Sequence, residues 1–516
     1  MNAKHRAASL LLGVLLAACG STPATPTPAG STPSASTPTR AAPTETATVE
    51  PSLALTTVPS MAAPTGTPTP APSAAAPTST PLPAPSPSLP VVGTADESSI
   101  RLAPRPDGGL FASIAAAGGT VLASLDRAGR LRPGWPIVLA GYSGCEIVAD
   151  PADGSVRAVC ATYHPAGTRA FAYDDAGRQL ARWPADLLGN LDEWDRERPR
   201  LVDGQLYVVT HSWNPPSATL VRVSAEGSVR SGANLWGLAA GNSPAWSIGE
   251  VAIGPDGTAY AMAYSDDHSA TQITAVDLGG ARPGWPIRIK GYASTPSFGP
   301  DGRLYLTVEL PGGGKSRVVA LSRSGKAIAG WPVELPIAAP VAWNGAGDVL
   351  AAPVVAPDGS AFVVAEDNEL PFGGTTAYAI DGSGQPRAGW PYSAPSGLVW
   401  PGYCPPCATG CGLWRSDPVA GPDGSLHLLH IGGSIVAVGT DGAVKAGWPV
   451  VLRRAGAEFE AVAVGADGTA YALAIEPERY EDTECETGSP VPVSSATIVA
   501  IASDGAIRYR TTIVSP

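Results

Sequence analysis

The sequence predicts an all-β protein built from eight four-stranded antiparallel sheets, and two alternating landmarks carry this prediction. One landmark is an Asp-Gly turn, and the other is a glycine five residues before a Gly-Trp-Pro segment or its equivalent. No stretch between them holds helical periodicity for long, so strands are favoured throughout. The Asp-Gly glycines are Gly108, Gly154, Gly204, Gly257, Gly302, Gly359, Gly424 and Gly468. The second set is Gly129, Gly177, Gly227, Gly279, Gly325, Gly384, Gly442 and Gly505.

The unit from Phe298 to Pro332 shows the four predicted strands most clearly. Strand A precedes the Asp-Gly turn, strand B follows over Leu304 to Glu309, strand C is the Val-Val-Ala-Leu run, and strand D carries Gly-Trp-Pro. Proline has no N–H, which places strand D at the outer edge of the sheet and strand A nearest the central axis. Eight such sheets predict an eight-bladed β-propeller, a fold that protects sheet edges by radial closure.

The tryptophan of Gly-Trp-Pro is expected to pack between neighbouring blades. The first unit has its own strand A (Ser98 to Ala103) and the last has its own strand D (Ile507 to Val514). We therefore expect the ring to close by packing of two complete blades. The tryptophans are Trp135, Trp183, Trp285, Trp331, Trp390 and Trp448, while Ala233 and Thr511 take that position in the third and eighth units.

Residues 1–18 have the features of a signal peptide. A basic start precedes an apolar run from Leu10 to Leu16 that is too short to span a membrane. The Leu-Ala-Ala-Cys junction that ends at Cys19 resembles the lipobox of bacterial lipoproteins. This resemblance implies cleavage before Cys19 and attachment of a diacylglyceryl group to its thiol. The alternative is an ordinary secretory peptide with an incidental cysteine.

Residues 19–92 consist almost entirely of Pro, Thr, Ala and Ser. Such a composition cannot bury a core, so we expect a disordered, extended linker. It would act as a stalk between a lipid anchor at the outer face of a membrane and the propeller domain at residues 93–516. The expected location is the cell envelope, facing the extracellular or periplasmic side.

The chain is acidic, with a net charge of −12 and a sequence pI near 5.0. The sequence contains no basic patch, which argues against nucleic acid as a partner. We expect a monomer whose partner is an envelope protein, a peptide or a glycan.

Six cysteines remain after Cys19, an even number that is typical of disulfides in an exported protein. Cys145 and Cys160 face each other across the A–B hairpin of the second unit, which predicts one disulfide. The other four lie in connections on one face of neighbouring blades, where we expect two more disulfides with Cys485 joined to one of the others. A zinc or iron–sulfur site is the alternative for these four residues, which are Cys404, Cys407, Cys411 and Cys485.

The order of strands divides the propeller into two faces. The A–B and C–D turns lie on one face, here called the turn face, and the B–C and D–A connections lie on the other, the insertion face. All the long predicted loops belong to the insertion face, and insertions on one face usually mark the binding face. These loops are Leu187 to Pro199, His211 to Ala218, Tyr264 to Gln272, Glu366 to Gly374, Ala394 to Arg415 and Glu476 to Ser495.

Three tryptophans are the candidate ligand-binding residues. Trp194, Trp246 and Trp414 each lie nine or ten residues before the aspartate of the next Asp-Gly turn. Strand A needs fewer residues, so these side chains are expected near the channel mouth on the insertion face. We expect a glycan or an extended peptide to bind there, because exposed aromatic residues dominate binding hot spots. The alternative is that each tryptophan only packs on its own blade.

Catalytic signatures are weak. Neither a G-x-S-x-G nor an H-E-x-x-H pattern occurs, and the acidic loop between Glu476 and Glu486 is interpreted as solvated. We therefore expect no catalytic residue, no metal and no cofactor. The predicted function is a non-catalytic binding or scaffold module; the alternative is a quinone-dependent or carbohydrate-active enzyme with its site on the insertion face.

Two family resemblances cover roughly residues 98 to 516. The segment Ala-Leu-Ser-Arg-Ser-Gly-Lys-Ala-Ile-Ala-Gly-Trp-Pro is similar to the blades of pyrroloquinoline-quinone-like propellers, including outer-membrane assembly lipoproteins of the BamB type. The Gly-Trp-Pro ending also resembles FG-GAP repeats, whose D-x-D-x-D-G turn implies calcium. Here the turn is Pro-Asp-Gly with a single acid, as at Asp301. Both resemblances imply a propeller and leave its ligand open.

The lipobox resemblance makes a direct prediction about Cys19. We expect Cys19→Ser to accumulate as a precursor that is neither acylated nor normally cleaved, because the acceptor thiol is gone. Metabolic labelling with a fatty acid, followed by mass spectrometry of the N-terminus, measures both steps. Unchanged acylation of the variant would contradict the assignment.

Overall fold

The computed structural model describes residues 100–116, 119–163, 166–191, 198–213, 216–240, 246–310, 315–338, 341–343, 348–366, 375–394, 418–430, 434–451, 458–477 and 493–514. These residues form an eight-bladed β-propeller of four-stranded antiparallel blades, as the sequence predicts. In every blade the strands are paired in chain order, A-B-C-D. Among the described residues, no helix is long and apolar enough to cross a membrane.

The first four blades occupy the first half of the domain. Blade 1 contains Ile100–Pro104, Leu110–Ala116, Gly119–Leu125 and Ile137–Ala140. Blade 2 contains Ser143–Ala149, Val156–Tyr163, Ala166–Tyr173 and Ala185–Leu187. Blade 3 contains Arg200–Val202, Gln205–Trp213, Pro216–Val223 and Val229–Asn234, followed by the short helix Leu235–Ala240. Blade 4 contains Trp246–Ile253, Ala259–Ser265, Ala270–Asp277 and Ile287–Lys290, with the extra piece Gly280–Ala281.

The last four blades follow the same order. Blade 5 has a divided strand A (Tyr292–Ala293 and Ser297–Phe298), then Leu304–Glu309, Ser316–Leu321 and Val333–Leu335. A separate hairpin, Val341–Trp343 with Asp348–Leu350, precedes blade 6. Blade 6 contains Val354–Val355, Ala361–Glu366, Thr375–Ile380 and Tyr392–Ala394. Blade 7 contains Val419–Ala420, Leu426–His430, Ser434–Val438 and Val450–Val451. Blade 8 contains Glu458–Val464, Ala470–Pro477, Val493–Ile501 and Ile507–Val514.

The ring closes by contact between complete blades, which confirms the prediction. Blade 8 packs its apolar face against blade 1 in one buried cluster that includes Leu473 and Leu110. The hydroxyl of Tyr471 donates to the carbonyl oxygen of Gly108 at 2.8 Å. The hydroxyl of Thr511 donates to the carbonyl oxygen of Gly129 at 2.8 Å. No strand is shared between the two blades.

The sequence predicts that Gly-Trp-Pro lies within strand D. In the structure this segment interrupts strand D instead. In five of these units a single bridge, such as Leu321 to Ala327, starts the pairing two residues after the glycine. The chain then leaves the sheet through Gly-Trp-Pro, and pairing resumes after the proline, at Val333 in blade 5. All six Trp-Pro peptide bonds are cis. Blades 3 and 8 lack the segment, and their strand D begins at once, at Val229 and Ile507.

Glycines of neighbouring blades meet at four of the blade interfaces. There the glycine of Gly-Trp-Pro in one blade lies against the C–D turn glycine of the next, as Gly389 does against Gly442. A Cβ atom on either residue would lie closer than 3.0 Å to a carbonyl oxygen of the facing segment. Both also have positive φ, a conformation that glycine adopts without steric cost. This packing explains why a glycine recurs in the C–D turn and before the tryptophan.

The tryptophans lie between blades, as predicted, and most donate a hydrogen bond to the next blade. The indole Nε1 of Trp135 donates to the carbonyl oxygen of Asp175 at 3.0 Å. Trp183, Trp390 and Trp448 donate in the same way to the next C–D turn. The indoles of Trp285 and Trp331 are buried without an acceptor among the described residues.

Each tryptophan also packs on the second residue of strand B in its own blade. That residue is aromatic in most blades, and the ring centroids lie 5.2–5.5 Å apart, consistent with tilted and edge-to-face packing. In blade 2 an arginine takes the position, and the Arg157 guanidinium lies 5.6 Å from the centre of the Trp183 ring. The aromatic pairs are Phe111–Trp135, Tyr260–Trp285, Tyr305–Trp331, Phe362–Trp390 and His427–Trp448.

Blade 3 replaces the missing tryptophan with the helix that follows its strand D. Leu235, Trp236 and Ala239 are buried between blades 3 and 4. The ring of Trp236 lies 5.2 Å from that of His211. The helix therefore fills the space that Ala233 leaves between these two blades.

The predicted disulfide between Cys145 and Cys160 is confirmed. The residues pair directly across strands A and B of blade 2, with Cα atoms 4.2 Å apart. Both side chains are fully buried against blade 1. The remaining predicted bridges involve residues outside the described part of the chain, so they stay predictions.

Two alanine substitutions separate the close approach of the glycines from their backbone conformation. Gly442 and Gly204 have similar positive φ (+78° and +72°), but the nearest atom to a Cβ at Gly204 lies 4.0 Å away. We expect Gly442→Ala to lower the free energy of unfolding by about 1–3 kcal/mol more than Gly204→Ala, because overpacking adds to the shared backbone cost. Denaturant unfolding followed by tryptophan fluorescence measures both; equal losses would mean that the close approach contributes nothing.

His427 predicts a pH dependence of stability. Burial, with help from the Lys445 charge, lowers the pKa of His427 from 6.5 to about 4, although Asp423 opposes the shift. Between these pH values the unfolded chain binds a proton that the folded protein does not. Stability therefore falls as pH falls through this window, by at most about 1.4 kcal/mol per pH unit.

His427→Phe should remove this dependence, since Phe111 and Phe362 occupy the same position in blades 1 and 6. The free energy of unfolding is measured between pH 7 and pH 4. His268→Asn, at an exposed histidine, serves as the control and should follow the wild type. Parallel curves for wild type and His427→Phe would refute the assignment.

Candidate functional site

Most turn aspartates of the turn face are paired with cations of their own blades. In five blades the aspartate of the Asp-Gly turn is paired with an arginine or lysine three residues after the C–D glycine of the same blade. The aspartate also accepts the backbone N–H two residues on, as Asp256 does from Thr258 at 3.2 Å. The pairs are Asp107–Arg132, Asp256–Arg282, Asp358–Arg387, Asp423–Lys445 and Asp467–Arg508.

This pairing keeps the turn aspartates ionised. Burial opposes ionisation, but the hydrogen bonds from Lys445 and Ser425 outweigh it and lower the pKa of Asp423. The bonds from Arg508 and Thr469 do the same for Asp467. The single acid of each Pro-Asp-Gly turn is therefore engaged within its own blade. It does not form the multi-acid turn that the FG-GAP resemblance implies for calcium.

The insertion face carries a different repeated contact, which positions the D–A connections. In blades 1, 4 and 5 a buried hydroxyl of strand C donates to a carbonyl oxygen just after strand D, as Thr271 does to Gly291 at 2.8 Å. Thr120 makes the same bond to Tyr142 at 3.0 Å, and Ser316 to Ile337 at 3.0 Å. These three bonds fix the start of the D–A connection that follows blades 1, 4 and 5.

Trp246 is the one predicted ligand-binding tryptophan in the described part of the chain. It is the first residue of strand A in blade 4, at the insertion-face end, and is half-buried on the side facing blade 3. The Arg288 guanidinium lies 5.0 Å from the centre of its ring, a cation–π contact. Arg288 is positioned in turn by Gln272, whose Oε1 accepts from Arg288 Nε at 3.1 Å.

Three further aromatic residues lie at the same end of blades 4 and 5, and we call them the blade 4–5 aromatic group. Tyr264 is the half-buried penultimate residue of strand B, His268 lies in the B–C turn, and Tyr292 begins blade 5. The Tyr264 and Tyr292 rings are 4.6 Å apart. His268 stacks on Tyr292, also at 4.6 Å, with the planes 11° apart. His268 is exposed, so the stack ends in solvent.

A carboxylate lies beside this group. The pairing of strands A and B in blade 4 shifts between Ile248 and Val251, and this β-bulge contains Glu250. Such bulges change the direction of a side chain locally. The Thr295 hydroxyl donates to Glu250 Oε2 at 2.5 Å, which joins strand A of blade 4 to the start of blade 5.

Electrostatics keep both tyrosine hydroxyls protonated. Burial, together with Tyr292 and the Glu250 charge, raises the pKa of Tyr264 well above 10. Burial, Glu250 and Glu309 raise the pKa of Tyr292. In the adjoining turn, bonds from the Ser265 hydroxyl and the Ser269 backbone N–H lower the pKa of Asp267 to about 2. The group thus combines neutral tyrosine hydroxyls with the Glu250 carboxyl group and the ionised Asp267.

Most of the other predicted site residues lie outside the described ranges. These are the lipidation residue Cys19, the cysteines Cys404, Cys407, Cys411 and Cys485, and the tryptophans Trp194 and Trp414. The structure therefore does not test whether the three tryptophans share a rim, and that stays a prediction. Within the described ranges, no group of three or more His, Cys, Asp or Glu side chains is arranged to hold a metal ion.

Two predicted insertions are wrong. Tyr264 to Gln272 is a hairpin in which strand B runs to Ser265 and strand C starts at Ala270. His211 to Ala218 is likewise mostly paired, from His211 with Ala218 out to Trp213 with Pro216. Polar residues near these turns hid the continuing strands. The sequence analysis missed the blade 4–5 aromatic group for the same reason, although aromatics flanking a short turn were a usable signal.

The chain is similar to several solved structures, each at a TM-score below 0.5. A structure described as the crystal structure of the eukaryotic initiation factor matches with a TM-score of 0.45 and 8% identity, covering 83% of this chain and 91% of that one. The Dos1 propeller matches with a TM-score of 0.43 and 8% identity, over 74% and 90%. A quinonprotein alcohol dehydrogenase-like protein from Bacteroides thetaiotaomicron matches with a TM-score of 0.35 and 15% identity, over 78% and 82%. No protein-family model and no curated protein matches the sequence.

Proposed function

We propose that this protein is a lipid-anchored propeller of the cell envelope that binds a glycan on its insertion face. The observation that supports this most directly is the blade 4–5 aromatic group, in which three rings in contact end at the exposed His268 and lie beside Glu250. The C–H faces of a sugar pack well on aromatic rings, and its hydroxyl groups need acceptors and donors at the rim. Tyrosine hydroxyls and carboxylates supply both.

The chemistry of the two faces supports the choice of the insertion face. Polar groups of the turn face are mostly paired within and between blades, whereas the insertion face presents Trp246 with Arg288 and the neighbouring aromatic group. Binding sites combine ring faces with a few well-placed polar groups in this way. The linker at residues 19–92, if anchored at Cys19, would separate the propeller domain from the membrane.

The proposal is tested on a glycan array with wild type, Trp246→Ala, Tyr292→Ala and His268→Ala. We expect each variant to lose about tenfold or more in affinity for the glycan that wild type binds, because truncation of an aromatic hot-spot residue costs about 1.4 kcal/mol or more. His268 is exposed, so its loss should leave the melting temperature unchanged. Arg178→Ala, at an exposed arginine of the turn face, is the control.

Several outcomes would count against the proposal. A Trp246→Ala variant that melts several degrees lower but binds normally would show that this residue only packs on its blade. If the protein binds an extended peptide and no glycan, we would infer that its partner is an envelope protein. Retention of a quinone by the purified protein would favour the enzyme alternative.

A further inference from the structure

The turn face of blade 1 departs from the other blades in its arginines. A depression of about 530 Å³ on this face is lined by Asp107, Asp126, Arg127, Ala128, Arg130 and Arg132. A fourth arginine, Arg105, is buried beneath it with its guanidinium 4.4 Å from the centre of the Phe111 ring. The repeated cation that pairs with the turn aspartate corresponds to Arg132 in this blade. That repeated pairing does not account for Arg105, Arg127 or Arg130.

Two of these arginines are balanced by two carboxylates in a closed arrangement. Arg132 Nη1 donates to both oxygens of Asp175 at 2.9 Å, and its Nη2 pairs with Asp107. Arg105 pairs with Asp107 at 3.2 Å and also with Asp175. Each carboxylate thus serves both guanidinium groups. This set joins blades 1 and 2 and is electrically neutral.

Arg130 is balanced within its own turn. Its Nε and Nη2 donate to Asp126 Oδ2 at 2.9 and 2.8 Å. The other oxygen of Asp126 accepts the backbone N–H groups of Ala128 and Arg130. Arg130 nevertheless remains largely exposed, with 72% of its side chain accessible.

Arg127 is the unbalanced charge. Its Nε donates to the backbone carbonyl oxygen of Asp107, and among the described residues no carboxylate lies within ion-pair distance of it. The nearest turn aspartate of the preceding blade, Asp467, is engaged by Arg508 at 2.9 Å. With four arginines and three aspartates, the depression therefore carries one net positive charge on a chain whose overall charge is −12.

Blade 5 provides an internal comparison at the same position. Arg323 Nε donates to the carbonyl oxygen of Asp301 at 3.0 Å, just as Arg127 does to Asp107. Asp256 of the preceding blade lies 4.0 Å from Arg323, although Arg282 already engages it at 3.1 Å. The backbone contact is shared, whereas the counterpart of Arg130 in blade 5 is a lysine, Lys326.

We propose that the blade 1 depression is a phosphate-binding site, with Arg127 and Arg130 as its ligands. A phosphate group has several charged oxygens, so it can accept hydrogen bonds from both guanidinium groups at once. A carboxylate offers only two oxygens and a single charge for the same contacts. The site lies on the face opposite the proposed glycan site and does not depend on it.

The test is titration of the purified protein with inorganic phosphate at constant ionic strength, followed by calorimetry, with acetate as the reference anion. We expect saturable phosphate binding that Arg127→Gln and Arg130→Gln each weaken by about tenfold. Arg323→Gln is the matched control and should bind within twofold of wild type. All three arginines are exposed, and melting temperatures check that each variant is folded.

The source of the phosphate is distinguished by a second measurement. Flotation with vesicles of phosphatidylglycerol, compared with phosphatidylcholine, tests a lipid headgroup as the ligand. Binding to phosphatidylglycerol that is lost in Arg127→Gln supports the site with lipid as its source, and phosphate binding alone supports it with a soluble source. The proposal is overturned if wild type binds neither, if acetate binds as well as phosphate, or if Arg323→Gln loses as much affinity as Arg127→Gln.

Discussion

The structure depends on how closely each Gly-Trp-Pro segment approaches the C–D turn of the following blade. Gly389 and Gly442 meet with no space for a Cβ atom on either residue. That approach brings the indole of Trp390 within 3.2 Å of the Thr440 carbonyl oxygen, so apolar burial and a hydrogen bond are achieved together. The same tryptophan packs on the strand B aromatic of its own blade, here Phe362. One segment thereby links three elements in two blades.

Interfaces that lack this segment show what it normally contributes. Between blades 8 and 1, Thr511 supplies a hydrogen bond to the turn and Tyr471 supplies another, while Tyr509 covers the glycine. Between blades 3 and 4, a helix fills the space and Gln272 donates to its Ala239 carbonyl oxygen at 2.6 Å. Both interfaces bury apolar surface, and both provide hydrogen-bond donors for the carbonyl oxygens of the turns or of the helix end. Any blade interface has to meet these two requirements.

The same constraint divides the molecule chemically. Turns that must fit against a neighbouring blade have little freedom, and their aspartates are held by cations of the same blade. The B–C and D–A connections meet no such restriction, and there the chain presents aromatic rings beside carboxylates. A departure from the pattern on the turn face, such as Arg127, is therefore informative because the fold does not require it. We expect function at side chains that the packing of the blades does not require.

The sequence by itself determined the blade count, the strand order, the closure by complete blades and the pairing of Cys145 with Cys160, because turn glycines and strand runs are local signals that recur. It did not reveal that Gly-Trp-Pro interrupts strand D, since that break is stabilised by the next blade and not by its own strand. Nor did it reveal that Tyr264, His268 and Tyr292 form one group. These residues come from two blades and a turn, and only the tertiary packing of blade 4 against blade 5 brings their rings to 4.6 Å from one another.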